Sequence, residues 1–279
     1  MKSLIHGIKP GEKMKISLST SIFKREEESG ITFSRAVEMA SEAGFSMIEI
    51  SRRHKISPNG IEALKKTGVD IWAVHGTLGY NAVSLLDGER RDSIGKEIVR
   101  MENAACFAPC PYVVHYLHRF NDSSVGDRWE KSIEELHRKA VELNLTLAVE
   151  TVPHKPKINE RYPDSFEIAS FVRSFDSDNL KICIDINHSN LNENLEDVIK
   201  NCVNQIATCH ISDNNGEWED HLPPGEGIID IPQTFYLLKK NGYAGPFNIE
   251  CRMPCTPTVD KLKELREEAK KIFIHLRSI

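Results

Sequence analysis

Short apolar runs rich in β-branched residues recur about every 30 to 40 residues, with stretches of helical period between them. The runs are KISLS (15–19), SMIEIS (46–51), DIWAVH (70–75), YVVHY (112–116), LTLAVE (145–150), KICIDI (181–186), QIATCHIS (205–212) and FNIE (247–250). Several stay apolar at successive positions until their last residues, as strands buried on both faces do. Between them, Ile94, Ile98, Met101 and Ala105 form one helical stripe, and Trp129, Ile133, Leu136 and Ala140 form another. Asp127 followed by Glu130 reads as the start of the second of these helices. Gly44 and Gly68 stand where helices should end before the next strand. The charged LDGERRD at 86–92 reads as a solvated helix start.

Strand and helix in strict alternation predict βα units and a parallel sheet. Eight units in about 265 residues fit a (β/α)8 TIM barrel, a single α/β domain over 15–279 after an N-terminal arm at 1–14. An open doubly wound sheet is the other parallel architecture. It would carry a glycine-rich phosphate turn after its first strand, where this chain has STSIFKREEESG.

Composition changes this picture little. The net charge of −5 weighs against broad binding to nucleic acid. No apolar run reaches the roughly 18 residues that span a bilayer, and the first residues lack the apolar segment of a secretory signal. The seven cysteines form no CxxC pair, so a zinc site built of thiolates is not expected and a reducing cytoplasm is. The N-terminal arm is a possible contributor to a homo-oligomer.

The polar residues that close the apolar runs carry the chemistry. They are His75, His115, Glu150, Asp185 with His188 beyond it, His210 with Asp213 beyond it, and Glu250 with Arg252 beyond it. In a parallel barrel all of them face the C-terminal rim, where active sites lie. Oxygen and imidazole donors gathered there suit Zn²⁺, Mn²⁺, Co²⁺ or Mg²⁺, with histidine favouring the transition metals. A bound cation would offset the burial of Glu150, Asp185 and Glu250 together. Glu49 is expected at the same rim, orienting substrate or pairing with Arg52. Trp72 is expected in the barrel packing. His6, His54, His137 and His275 are expected at the surface, His118 has no evident partner, and His154 is expected near the pocket. The stretch GTLGYNAVSLLDG (76–88) reads as a lid or wall.

The segments GFSMIEI, LAVET, CIDINH, CHISDN, HLPPGEGIID and FNIE resemble those of the xylose isomerase-like TIM barrels, over about residues 15 to 277. That superfamily includes sugar phosphate isomerases and epimerases and the endonuclease IV type of AP endonuclease. The resemblance implies that Glu150, Asp185, His210 and Glu250 hold a divalent cation. It implies that His188 contacts substrate, or binds an additional zinc in the endonuclease manner, with His221 beside the same pocket. His75 and His115 match histidines that hold a further zinc in the endonucleases. One departure is Glu219, which stands where the endonuclease motif has aspartate. Gly225 and Gly227 are expected to supply turn freedom, and Asp230 to cap the following helix.

The implied chemistry is isomerisation or epimerisation of a small sugar or sugar phosphate, within carbohydrate metabolism. A proton leaves the carbon beside a carbonyl, a metal-stabilised enediolate forms, and two glutamates act as acid and base. The resemblance assigns those roles to Glu150 and Glu250, while His188 and Arg252 hold substrate oxygens. The rival expectations are a multi-zinc phosphodiesterase, a metal-binding barrel without catalysis, and a dehydratase or aldolase acting on a polyhydroxy acid.

Overall fold

The computed structural model describes residues 15–116, 123–153 and 163–276. The arm at 1–14, with His6, and the positions of His118 and His154 lie outside the described residues, as does the side chain of His275. Eight strands form one sheet: β1 (Ile16–Ser19), β2 (Met47–Ile50), β3 (Asp70–His75), β4 (Pro111–His115), β5 (Thr146–Glu150), β6 (Leu180–Asp185), β7 (Ile206–His210) and β8 (Phe247–Ile249). Every ladder is parallel, in the order β7-β6-β5-β4-β3-β2-β1-β8. The two end strands meet through the parallel bridge between Ile211 and Ile249, which joins the sheet into a barrel.

The helices are α1 (Glu26–Ser29), α2 (Phe33–Glu42), α3 (Pro58–Thr67), α4 (Asp87–Ala104), α5 (Ser123–Glu142), α6 (Ser165–Ser174), α7 (Ile186–Asn190), α8 (Leu195–Asn201), α9 (Ile231–Lys240) and α10 (Val259–Leu276). Their apolar stripes pack on the outward faces of the strands. Trp129, Ile133, Leu136 and Ala140 of α5 are fully buried in this layer with Leu147 and Val149 of β5. The alternate residues point inward, and Val113, Ala148 and Cys183 form a small apolar cluster of their own inside the barrel. Trp72 contributes to the interior packing, and its Nε1 donates to Thr208 Oγ1 at 2.9 Å, from β3 to β7.

Helix ends follow local chemistry. Gly44 and Gly68 take φ of 84° and 70°, the left-handed conformation that ends a helix most easily at glycine. Asp230 caps α9, accepting from Gln233 N at 3.0 Å. Helix α5 corrects one expectation, because it begins by Ser123 and so Asp127 lies inside it. Val125 packs against the core one turn before buried Trp129, and that contact extends the helix beyond the capping signal.

His54 corrects another. It lies among charged neighbours in sequence, yet it is 1% exposed, with its ring edge-on to Phe23. Burial pushes its pKa down to about 4. An imidazole depressed in the fold stabilises it above the ordinary histidine pKa and loses that contribution as pH falls. The expected loss between pH 7 and pH 5 is about 2 kcal/mol. Denaturant titrations of wild type and His54→Leu check this, and the variant's profile should be flatter by that amount.

Candidate metal centre

At the C-terminal mouth, carboxylates and imidazoles from six strands meet. Asp185 closes β6 and caps α7, its Oδ1 accepting from His188 N at 3.0 Å. Thr151 fixes it from β5, its Oγ1 accepting from Asp185 N at 3.0 Å. Glu150 ends β5 and is 1% exposed. His75 Nε2 stands 3.2 Å and His115 Nε2 3.1 Å from Glu150 Oε2, while His210 Nδ1 is 2.8 Å from Glu150 Oε1. Glu250, at the end of β8, brings Oε2 to 2.7 Å from the same His210 Nδ1. One donor atom each from Glu150, Asp185, His210 and Glu250 lies within 4.8 Å of the others.

Backbone and buried acids set the tautomers. His75 Nδ1 donates to Gly76 O at 2.8 Å and His188 Nδ1 to Thr151 O at 2.8 Å, which turns each Nε2 toward the mouth. His210 Nε2 donates to Glu49 Oε2 at 2.9 Å, which leaves Nδ1 facing the carboxylates. Glu49 is therefore not a rim residue. It lies fully buried inside the barrel and also accepts from Ser19 Oγ and Asn248 Nδ2, each at 2.9 Å. Sequence reasoning missed its role because the partner that fixes it is 161 residues away.

The group fits a divalent cation. Three acids and one imidazole lone pair converge in a buried space, and Asp185 Oδ2 is buried with no hydrogen-bond partner among the described residues. Burial and the neighbouring acids make this carboxylate costly, and its pKa rises to about 6. Burial opposes ionisation of Glu150 as well, but His210 and His115 outweigh it and hold the acid well below the usual carboxylate range. His210 is raised well above the ordinary histidine value, because the surrounding acids overcome its burial. A cation would replace that proton.

Three further groups lie beside or overlap the first among the described residues: His75, His115 and Glu150; Glu150, Cys183 and His210; and Asp185, His188 and His221. His221 takes a φ of 50° and meets the His188 ring edge-on at 5.2 Å. Burial, then the charge of His188, depresses its pKa to about 3. Glu219 Oε2 stands 3.7 Å from His188 Nε2, beyond hydrogen-bond range. Asp213 serves the loop rather than the mouth, with Asn214 N, Ile229 N and Gly225 N all donating to its carboxylate. Gly227 presses against Asp213 and Asn214 O so closely that a Cβ could not fit. Above these groups lies a cavity of about 380 Å³, walled in part by Leu78, Gly79 and Tyr80 of the loop after β3 and by Arg252.

Residues 37–277 match the xylose isomerase-like TIM barrel family. The chain belongs to that family. It is 36% identical over 110 residues to protein MJ1614 of Methanocaldococcus jannaschii, a match covering 39% of this chain and 41% of that protein. It is 26% identical over 193 residues to inosose isomerase of Halalkalibacterium halodurans, covering 63% of this chain and 67% of that enzyme. The solved structure of a D-tagatose 3-epimerase-like protein superposes with a TM-score of 0.79 at 23% identity, over 95% of this chain and 99% of that one. The similarity to that structure confirms the barrel. Relatives whose names give an activity include inosose isomerase and an L-ribulose-5-phosphate 3-epimerase of Escherichia coli.

Within the family barrel, Glu49 is expected to act through His210 on any cation held at this candidate site. Glu49→Gln should lower divalent-metal affinity by about 10- to 100-fold while the fold persists. Calorimetric titration of Mn²⁺ into both proteins checks this, and equal affinities would remove Glu49 from the site.

Proposed function

We propose that this chain is a divalent-metal-dependent isomerase or epimerase of a small sugar or sugar phosphate. The observation that carries the reading is the convergence of Glu150 and Glu250, from β5 and β8, on one buried nitrogen of His210, with a cavity above them. Glu150, Asp185, His210 and Glu250 would hold the cation, with Zn²⁺ or Mn²⁺ favoured by the imidazole and Co²⁺ or Mg²⁺ also compatible. When bound, the cation would stabilise negative charge on the substrate oxygens beside the reacting carbon.

The protein's own groups supply the rest. One of the two glutamates removes the proton from the carbon beside the carbonyl, and the other returns it. Glu150 is closed in by His75, His115 and His210, and His210 and His115 keep it ionised and ready to accept. The Glu250 side chain is 14% exposed, against 1% for Glu150, and both line the cavity. His188 points Nε2 at the mouth, and with Arg252 it holds substrate oxygens. The free cysteines suit a reducing cytoplasm.

A panel of ketoses and ketose phosphates incubated in D₂O with the metal-loaded protein tests the reading. Deuterium should appear at one carbon beside the carbonyl, together with a new isomer. A panel in which no member exchanges would count against it.

A second reading has its own observation. His75 and His115 both reach Glu150 Oε2, as ligands of a second metal would, and that arrangement favours a multi-zinc phosphodiesterase acting at abasic sites. Against it stand the acidic balance of the chain and the longer Glu219 arm. Cleavage of an abasic DNA duplex distinguishes the two.

A further inference from the structure

The cavity has a cationic side. Arg52 and Arg53 follow β2, Arg252 follows Glu250 at the end of β8, and all three line the cavity. Strands β2 and β8 both flank β1, so these guanidinium groups share the β8-β1-β2 sector of the mouth. His75, His115, Glu150 and Asp185 come from β3 to β6, the other sector.

The three arginines are held differently. Arg53 is partly buried and donates through Nη1 to Ser21 O at 2.7 Å and Phe23 O at 2.9 Å. Arg52 and Arg252 are exposed, and among the described residues their guanidinium groups make no hydrogen bond or ion pair. Ser21 Oγ, on the same wall, is buried without a hydrogen-bond partner among the described residues. Burial, followed by the charges of Arg252 and Arg52, holds the Arg53 pKa below its ordinary value, so the three groups sense one another.

Glu250 shares this sector and offsets part of the charge, but its carboxylate is engaged by His210, so three guanidinium groups outnumber the acid and favour a further anion. A neutral sugar brings none. A phosphate monoester brings close to two charges and three acceptor oxygens, which matches two free guanidinium forks and a hydroxyl. Of the acids on the cavity wall, Glu150 and Glu250 are engaged by His210, and Glu219 stands 3.7 Å from His188 Nε2.

We propose that Arg52 and Arg252 bind the phosphate of a phosphorylated sugar, at the end of the substrate remote from Glu150. That the ligand is a sugar, and which of its ends reacts, rest on the isomerase or epimerase reading above. The anion site rests on the arginines alone.

The test is a binding measurement with compounds that cannot be isomerised. Tetritol, pentitol and hexitol monophosphates, and the same polyols without phosphate, are titrated calorimetrically into the metal-loaded wild type, Arg52→Ala, Arg252→Ala and the double variant. At least one phosphorylated polyol should bind wild type about 10-fold or more tightly than its parent, and each single substitution should remove most of that ratio. Arg252→Lys should restore part of it. Both positions are exposed, so the variants should fold, and an unchanged metal content confirms an intact site. The proposal is overturned by a ratio near one for every chain length in wild type, or by a ratio that survives the double substitution. It is equally overturned if an aldonate of the same length, or an abasic DNA duplex, binds more tightly than the best polyol phosphate. Failure of the isomerase reading would show in the deuterium assay, which these polyols do not enter.

Discussion

Glu150→Gln is expected to lower turnover of the true substrate by about 10³- to 10⁴-fold and to stop deuterium entering at the carbon beside the carbonyl. Nitrogens of three imidazoles stand 2.8 to 3.2 Å from the Glu150 carboxylate. The amide keeps the shape of the side chain but gives up its charge, and with it the ability to take a proton. Thermal unfolding of the variant separates this effect from loss of the fold. If deuterium still enters product at the wild-type rate, Glu150 does not move the proton.

Asp185→Asn is expected to change the sign of its effect with metal. Without a cation, Asp185 is a fully buried acid whose pKa sits at about 6. An acid raised in the fold destabilises it once pH exceeds the ordinary carboxylate value, and the penalty is complete above the raised one. At neutral pH that amounts to about 3 kcal/mol, or roughly 5 to 10 °C in Tm. In chelator the variant should therefore melt above wild type, since an amide can cap α7 as the acid does and can donate to the neighbouring carboxylates. With Mn²⁺ or Zn²⁺ present, wild type should gain stability and the variant should gain little. A variant that melts below wild type in chelator would contradict the strain assigned to this carboxylate.

Much of the site was legible because a barrel converts a local pattern into a spatial one. A polar residue after an apolar run marks the end of a buried strand, and parallel strands put all such ends at one mouth. His75, His115, Glu150, Asp185, His210 and Glu250 were found in this way, and they meet at the mouth. What failed depended on neighbours distant in sequence. Glu49 looked like another rim residue, but its partners are His210 and Asn248, on strands no local pattern connects to it. His54 looked solvated beside Arg52, Arg53 and Lys55, yet its ring packs on Phe23 and Phe33 from the preceding unit. That Arg52 and Arg252 line one sector of the mouth is not legible in the sequence for the same reason, since it follows from β1 lying between β2 and β8.

The proposed function requires a cation held by Glu150, Asp185, His210 and Glu250. The most direct test is elemental analysis of protein purified without added metal or chelator, on wild type and on a His75→Ala, His115→Ala double variant. About one Zn²⁺ or Mn²⁺ per chain, unchanged in the variant, is the predicted result. No divalent metal, even after soaking, would contradict the account, and two or three zinc ions that fall in the variant would transfer it to clustered-zinc hydrolysis.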